Sequence, residues 1–330
     1  MATLYVIEQG ARIEKEYRRI VVATEQKTLL AVPLLHVDHV VLVGNVGATT
    51  PALHALLDAG IGLTLLDRWG RLRGRLESRA GKNVVLRHQQ YSRSEDVEFC
   101  LAVSRCIVAG KLGNQRTLAR RIARTHAVDA VLLERLNRAI ARAEGATDLA
   151  ALRGVEGEGS RNYFAVLRAA LHSGLDFGRR TRRPPGDPVN ALLGLGYTLL
   201  TQNLVAACEI VGLDPYDGFY HSDKYGRPAL ALDLVEEFRS VIVDSVILNL
   251  VNRRRVAAED FEPGPEGGVF LKRAAQRTFF DAYTARINTE VHYAPAGRRL
   301  SYQKLFEVQA RSLRRAIEAG RPEYACYLTR

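Results

Sequence analysis

The hydrophobic period of this 330-residue chain changes once, near residue 85, and that change limits the folds open to it. Before it, TLYVIEQG, RRIVVAT, KTLLAVPL and HVVLVG are short runs rich in β-branched residues, parted by polar or glycine turns. Runs of this length and composition read as strands. TPALHALLDAGIGLTLLD inserts one short helix, ended by Gly60 and Gly62, and RWGRLRGRLES reads as a hairpin turned at Gly70. Beyond residue 85, apolar residues recur three and four apart. SEDVEFCLAVSRCIVAGKLGNQRTLARRIAR offers Ser94 and Asp96 as a capping region and continues as a helix. AVDAVLLERLNRAIARAE, TDLAALRG and SRNYFAVLRAAL follow, and the prolines of GRRTRRPPGDP (178–188) force a break. VNALLGLGYTLLTQNLVAACEIVG and LVEEFRSVIVDSVILNLVNRRR then read as two long helices. The expected fold class is α+β, with an N-terminal β-sheet domain over residues 1–85 and a larger all-α domain over 86–330.

Composition narrows the function classes. The chain is 47% hydrophobic, enough for a sizeable core, and Lys and Arg outnumber Asp and Glu by 47 to 36, giving a net charge of +11. That excess favours a polyanionic partner such as nucleic acid. The four cysteines, Cys100, Cys106, Cys208 and Cys326, include no C-x-x-C pair, which argues against a structural zinc site and a disulfide framework. MATLYVIEQG lacks the pattern of a signal peptide, and no uninterrupted apolar stretch approaches the ~18 residues of a membrane span. The expectation is a soluble, cytoplasmic protein.

Against this basic background, GFYHSDKYGRPALALDLVEEFR (218–239) gathers His221, Asp233, Glu236 and Glu237. On a regular helix from about Leu232, the three acids, Ser240 and Asp244 fall on one side, and Leu234, Phe238, Val241 and Ile242 on the other. The plain reading is a solvated acidic face, with Asp233 and Glu236 favoured near a helix N-terminus. The sharper reading adds His221, one loop upstream, and treats imidazole plus carboxylates as a site for Mg²⁺ or Mn²⁺. GVEGEGSRNYF supplies a third component in Glu156, whose neighbouring glycines admit a close backbone approach or simply mark a loop. Basic segments complete the pattern. Arg179, Arg180, Arg182 and Arg183 lie in the proline-stiffened break, and Arg253, Arg254 and Arg255 follow the acidic helix. Guanidinium groups suit phosphate oxygens, although such runs also occur as solvated loops.

Taken together, GVEG around Glu156 with Tyr163 and Phe164, RRPPGDPVNALLGLGYTLL, GFYH ending at His221, and GRPALALDLVEEFR resemble the CRISPR-associated protein one family, as do GKNVVLRHQQY and KLGNQRTLARR upstream. The resemblance runs through nearly the whole chain in the family's order. It implies a spacer-acquisition integrase and endonuclease with a divalent-metal site of Glu156, His221 and Glu236, and Asp233 as an auxiliary acid. Some members carry Asp where this chain has Glu236. It further implies a homodimer formed through the β-domain, two dimers bridged by CRISPR-associated protein two, and double-stranded or branched DNA as substrate. With a DNA 3′-hydroxyl as nucleophile the outcome is strand transfer; with water it is cleavage.

Two other readings compete. A metal-dependent nuclease acting on branched DNA without integration shares the site and differs in nucleophile. A non-catalytic DNA-binding subunit has the acids as a wet helix face and keeps salt-sensitive binding without them. A membrane-surface role has least support, because the basic residues are scattered and no amphipathic anchor stands out.

Overall fold

The computed structural model describes residues 2–77, 83–171, 175, 177–181, 184–221 and 224–329. Strands β1 (Ala2–Val6), β2 (Arg12–Glu16), β3 (Arg19–Ala23), β4 (Thr28–Pro33), β5 (Val37–Val43) and β6 (Gly47–Ala48) precede helix α1 (Thr50–Asp58). Strands β7 (Gly62–Leu66) and β8 (Leu72–Leu76) follow it. They form two four-stranded sheets, ordered β1-β5-β7-β8 and β4-β3-β2-β6. The hairpin between β7 and β8 turns where expected. The Asp67 carboxylate accepts the N–H groups of Trp69 and Arg71, both at 2.9 Å, and Gly70 takes a φ of +78°. Strand β2, RIEKE, was not foreseen. Its single apolar residue, Ile13, is wholly buried, and pairing with β3 and β6 supplies what its composition does not.

Strand β5 shows why the β-rich part and the helical part adhere. Its side chains alternate in direction. Val40 and Leu42 enter a core with Ile13, Ile20, Leu56 and Leu63, whereas Val41 and Val43 enter the large core of the helices. A strand buried on both faces has to be mainly apolar, as VVLV is, and the buried His39 beside that run is matched by a hydrogen bond with Thr64 at 2.8 Å.

The remaining elements are α2 (Val84–Ser94), α3 (Val97–Ile122), α4 (Ala130–Glu144), α5 (Leu149–Ala170), α6 (Pro188–Ile210), α7 (Ala229–Phe238), a π-helical segment (Arg239–Asp244) and α8 (Ser245–Asn252). Beyond them come ribbon β9 (Phe261–Pro263) with β10 (Val269–Leu271), helix α9 (Arg273–Ile287), ribbon β11 (Glu290–Tyr293) with β12 (Arg298–Ser301), and α10 (Tyr302–Ala319). The fold is thus α+β, with two small ribbons added to the helical part. Aspartates 96, 129, 148 and 187 cap α3 to α6, each accepting a backbone N–H of the first turn; each such cap stabilises its helix by ~1 kcal/mol. The break expected before residue 188 is present, and Pro188 opens α6, where a missing N–H costs nothing. Helix α6 is long and apolar enough to cross a membrane, yet 72% of its most apolar window is buried inside the protein, as befits a central core helix.

Two expected boundaries differ. GVEGEG does not interrupt the chain; α5 runs through it. A Cβ on Gly159 would lie 2.5 Å from Leu112 Cδ2, so this glycine is a notch where α3 and α5 cross closely, while Gly154 and Gly157 meet nothing within 4 Å. LVEEFRSVIVDSVILNLVNRRR is not one regular helix either. The π turn inserts a residue between α7 and α8, so the uniform 100° step fails beyond Phe238.

Candidate active site

The acidic side of α7 is not a wet face. Asp233 and Glu237 have no exposure, Asp244 has 1% and Glu236 has 4%. Buried carboxylates need partners, and the four environments that supply them are different.

Asp233 holds the loop that carries His221. It accepts the backbone N–H groups of Phe219 (2.7 Å), Tyr220 (3.0 Å) and His221 (2.9 Å), and its Oδ1 lies 2.7 Å from His221 Nδ1. A carboxylate only accepts, so Nδ1–H is the donor in this contact, and the ring presents its Nε2 edge away from Asp233. Gly218 permits this wrap, because a Cβ there would lie 2.9 Å from Asp233 Oδ2. His221 Nε2 then faces Glu236 Oε1 at 3.7 Å.

Glu236 and Glu156 come together across Lys111. The Lys111 ammonium, from the middle of α3, is ion-paired with Glu156 Oε1 and lies 2.7 Å from Glu236 Oε2. Arg239 reaches back one turn to Glu236 Oε1 at 3.1 Å. Burial alone would push the Glu236 carboxyl up, but Arg239, Lys111 and His221 overcome it and hold the group at about 2. The side chains of Glu156 and His221 are 22% and 15% exposed, so both remain open to a substrate. Ser160, one turn along α5, donates to Glu156 Oε1 at 2.8 Å and helps orient it.

Asp244 and Glu237 serve packing. Tyr163 and Tyr197 each donate to Asp244 at 2.6 Å, and the Arg239 guanidinium stacks on the Tyr197 ring at 4.5 Å. Glu237 accepts from the Tyr324 hydroxyl, from Gln309 (2.9 Å) and from the Tyr327 N–H (2.7 Å), which fastens the C-terminal tail over α7. Asn114, one turn beyond Lys111, donates to the carbonyls of Glu237 and Tyr327, both at 2.8 Å, and locks α3 to the same place.

A cavity of about 470 Å³ opens beside Lys111 and Glu156. Arg161, Arg168, Arg179, Arg180 and Arg239 line it, with Phe164, Phe177 and Tyr197 between them. The site therefore unites Glu156, His221, Asp233 and Glu236, and sets Arg179 and Arg180 on its basic wall. Arg253 and Arg254 are exposed at the end of α8 and do not line that cavity. Arg182 and Arg183 lie outside the described residues.

Sequence reasoning gives Lys111 and Arg239 no place in the site. A signal was present: Ser104, Ile107, Lys111 and Gln115 recur at helical spacing on a buried face of α3, where a lysine is costly unless paired. Two carboxylates and one imidazole nitrogen are a mixed oxygen and nitrogen donor set, which fits Mg²⁺ or Mn²⁺ in kind. In this arrangement, among the described residues, no three His, Cys, Asp or Glu groups converge as a metal shell; the position between the glutamates belongs to the Lys111 ammonium.

Fold and site thus define an α+β protein with a carboxylate–imidazole cluster set against an arginine-lined cavity. The chain belongs to the CRISPR associated protein Cas1 family, whose sequence model matches residues 4–285. It is 37% identical to the CRISPR-associated endonuclease Cas1 3 of Thermus thermophilus, over 100% of this chain and 98% of that relative. Among solved structures, it resembles a casposase bound to integration product with a TM-score of 0.86 at 21% identity, covering 98% of this chain and 93% of that one, a likeness of fold. It also resembles a chain of a partial Cas6-RT-Cas1–Cas2 complex, with a TM-score of 0.69 at 25% identity, covering 100% and 99%.

Proposed function

We propose that this protein is a divalent-metal-dependent DNA integrase and endonuclease that inserts foreign DNA fragments as new spacers into a CRISPR array. The observation that carries the reading is the pairing of Glu156 and Glu236, from two separate helices, with one buried ammonium at the mouth of a basic cavity, with His221 Nε2 facing Glu236 from a third element. Full-length similarity to a Cas1 endonuclease supports it.

Glu156, Glu236 and Nε2 of His221 would hold Mg²⁺ or Mn²⁺. When bound, such an ion supplies Lewis-acid stabilisation of charge on a phosphoryl oxygen. The chain's own residues supply the rest. The cavity arginines, Arg179 and Arg180 among them, bind the strand phosphates and orient the scissile one. Asp233 keeps the His221 ring in one orientation and one tautomer. The oxygen of a DNA 3′-hydroxyl bonds to phosphorus, its proton leaves to a base or solvent, and the phosphorus–oxygen bond to the departing strand breaks. One phosphodiester replaces another, so no energy-rich cofactor is required. With water as nucleophile the same site cleaves.

The partners follow the same reading. The likeness to a chain of a Cas1–Cas2 complex supports assembly with CRISPR-associated protein two. A homodimer through the β-rich part is favoured by β4, an edge strand with Leu29 and Leu30 38% and 44% exposed, followed by Leu35 at 80%. Double-stranded and branched DNA are the substrates.

The test is a joining and cleavage assay with Mn²⁺ or Mg²⁺, a supercoiled target and short duplexes with free 3′ ends, with and without the partner protein. Metal-dependent joining that vanishes in Glu156→Gln and His221→Ala, with DNA binding retained, is the expected result. Cleavage without joining, even with the partner, would leave a nuclease for branched DNA. DNA binding with no chemistry in any variant would make the protein a binding subunit.

A further inference from the structure

Lys111 sits where a metal's charge is expected, and four formal charges meet there. Glu156 and Glu236 are two anions, Lys111 and Arg239 are two cations, and their ion pairs close on one another. These four charges cancel, and Asp233 beside them is taken up by His221 and three backbone N–H groups. A divalent ion added to the cluster leaves two positive charges among those four groups, in a setting where Glu236 and Lys111 are almost fully buried. Such an excess is costly away from water unless an anion arrives with it. The anion's place adjoins the cluster. Lys111 lies on the wall of the arginine-lined cavity, so its flexible stem needs only to swing off the glutamates to point its ammonium into that space.

We infer that Lys111 is an exchangeable counter-ion that holds Glu156 and Glu236 together before metal arrives, yields to the divalent ion, and then pairs with a DNA phosphate in the adjoining cavity. This rests on the metal reading above and adds a consequence to it: metal and DNA bind cooperatively, each weakly alone. Lys111 is a positioning residue in the free protein and a phosphate contact in the loaded one. Coupling of this kind is reciprocal, so DNA tightens metal binding by the factor by which metal tightens DNA binding.

The experiment measures the Mn²⁺ dissociation constant by electron paramagnetic resonance, for full-length protein with and without a short DNA duplex. Wild type, Lys111→Met, Lys111→Gln and Glu156→Gln are compared, with circular dichroism to check the fold. The expected result is weak Mn²⁺ binding by wild type, about ten-fold tighter with DNA. In Lys111→Met and Lys111→Gln, binding without DNA tightens several-fold and the DNA effect shrinks towards none. A second reading avoids variants altogether: acetylation of Lys111 in the wild-type protein by acetic anhydride, followed by mass spectrometry, should rise when Mn²⁺ is added without DNA.

Unchanged acetylation overturns the proposal even if both variants fail to fold. Mn²⁺ bound by wild type and lost in Glu156→Gln, but equal or weaker in folded Lys111 variants, overturns the proposal alone and makes Lys111 a scaffold. No Mn²⁺ bound by any protein, with or without DNA, overturns the proposal together with the metal reading.

Discussion

His221 Nδ1 lies 2.7 Å from Asp233 Oδ1, and the opposite ring nitrogen faces Glu236 at 3.7 Å. All the capacity of Asp233 is spent on this imidazole and on three backbone N–H groups of the loop that carries it. Asp233 is therefore the residue that aims His221, and Glu236, three residues on, shares the cluster with Glu156.

That division makes Asp233→Asn informative. The amide brings N–H groups to a place crowded with donors, so at least one donor loses its acceptor. Stability should fall by about 2–3 kcal/mol, and joining activity or metal affinity by roughly 10–100-fold. A thermal melt and the joining assay measure the two separately; a variant that keeps full activity would remove Asp233 from the positioning of His221.

Two glycines of α5 should respond in opposite directions. Gly159→Ala places a methyl 2.5 Å from Leu112 Cδ2 and 3.4 Å from the Ala139 Cβ, so the buried Leu112 side chain or the α3–α5 crossing must give way, at a cost of about 1–3 kcal/mol. Gly154 is exposed with open space around it, so Gly154→Ala should stabilise the helix by about 0.5–1 kcal/mol. Urea titrations of the two variants decide between a notch at one position and mere tolerance at both.

Glu237 gives the protein a pH-dependent latch for its C-terminal tail. Burial raises its carboxyl to about 7, against the opposing pull of Tyr324, the Tyr327 N–H and Gln309. Between its ordinary value of 4.5 and about 7, the folded chain holds a proton that the unfolded chain has lost. The stabilising contribution is thus complete below 4.5, declines as pH rises to about 7, and is level above it. The whole slope amounts to roughly 3 kcal/mol. Glu237→Gln should abolish it, which denaturant titrations at a series of pH values between 4 and 8 read directly.

The basic wall should show itself in salt dependence. If Arg161 and Arg179 each neutralise one phosphate, Arg161→Ala and Arg179→Ala should each flatten the slope of log affinity against log salt by about 1. Binding should weaken to a similar degree for duplexes of different sequence, because phosphate contacts carry no base information. A slope that stays at the wild-type value would take the DNA path away from this cavity.

Much of this was readable along the chain, because the signals were local. The two hydrophobic periods separated strands from helices, Asp96 marked a helix start, the prolines of 178–188 marked a break, and GVEG, GFYH and LVEEF carried Glu156, His221 and Glu236. Strand β2 was missed because RIEKE has one apolar residue, and its existence depends on neighbours from elsewhere in the sequence. The continuity of α5 was missed because glycine read alone is a helix breaker, whereas here one glycine is needed for a close crossing.

What the sequence determined by itself was the list of side chains and the elements that carry them, since both depend on residues a few positions apart. What tertiary structure decided was the partner of each charge. A helical wheel put Asp233, Glu236, Glu237 and Asp244 on one watery side. The fold instead gave Asp233 to His221, Glu236 to Lys111 and Arg239, Glu237 to the tail and Asp244 to two tyrosines. The π turn broke the wheel's regular step, and burial required every carboxylate to find a donor from whichever segment packed against it, near or far in the chain.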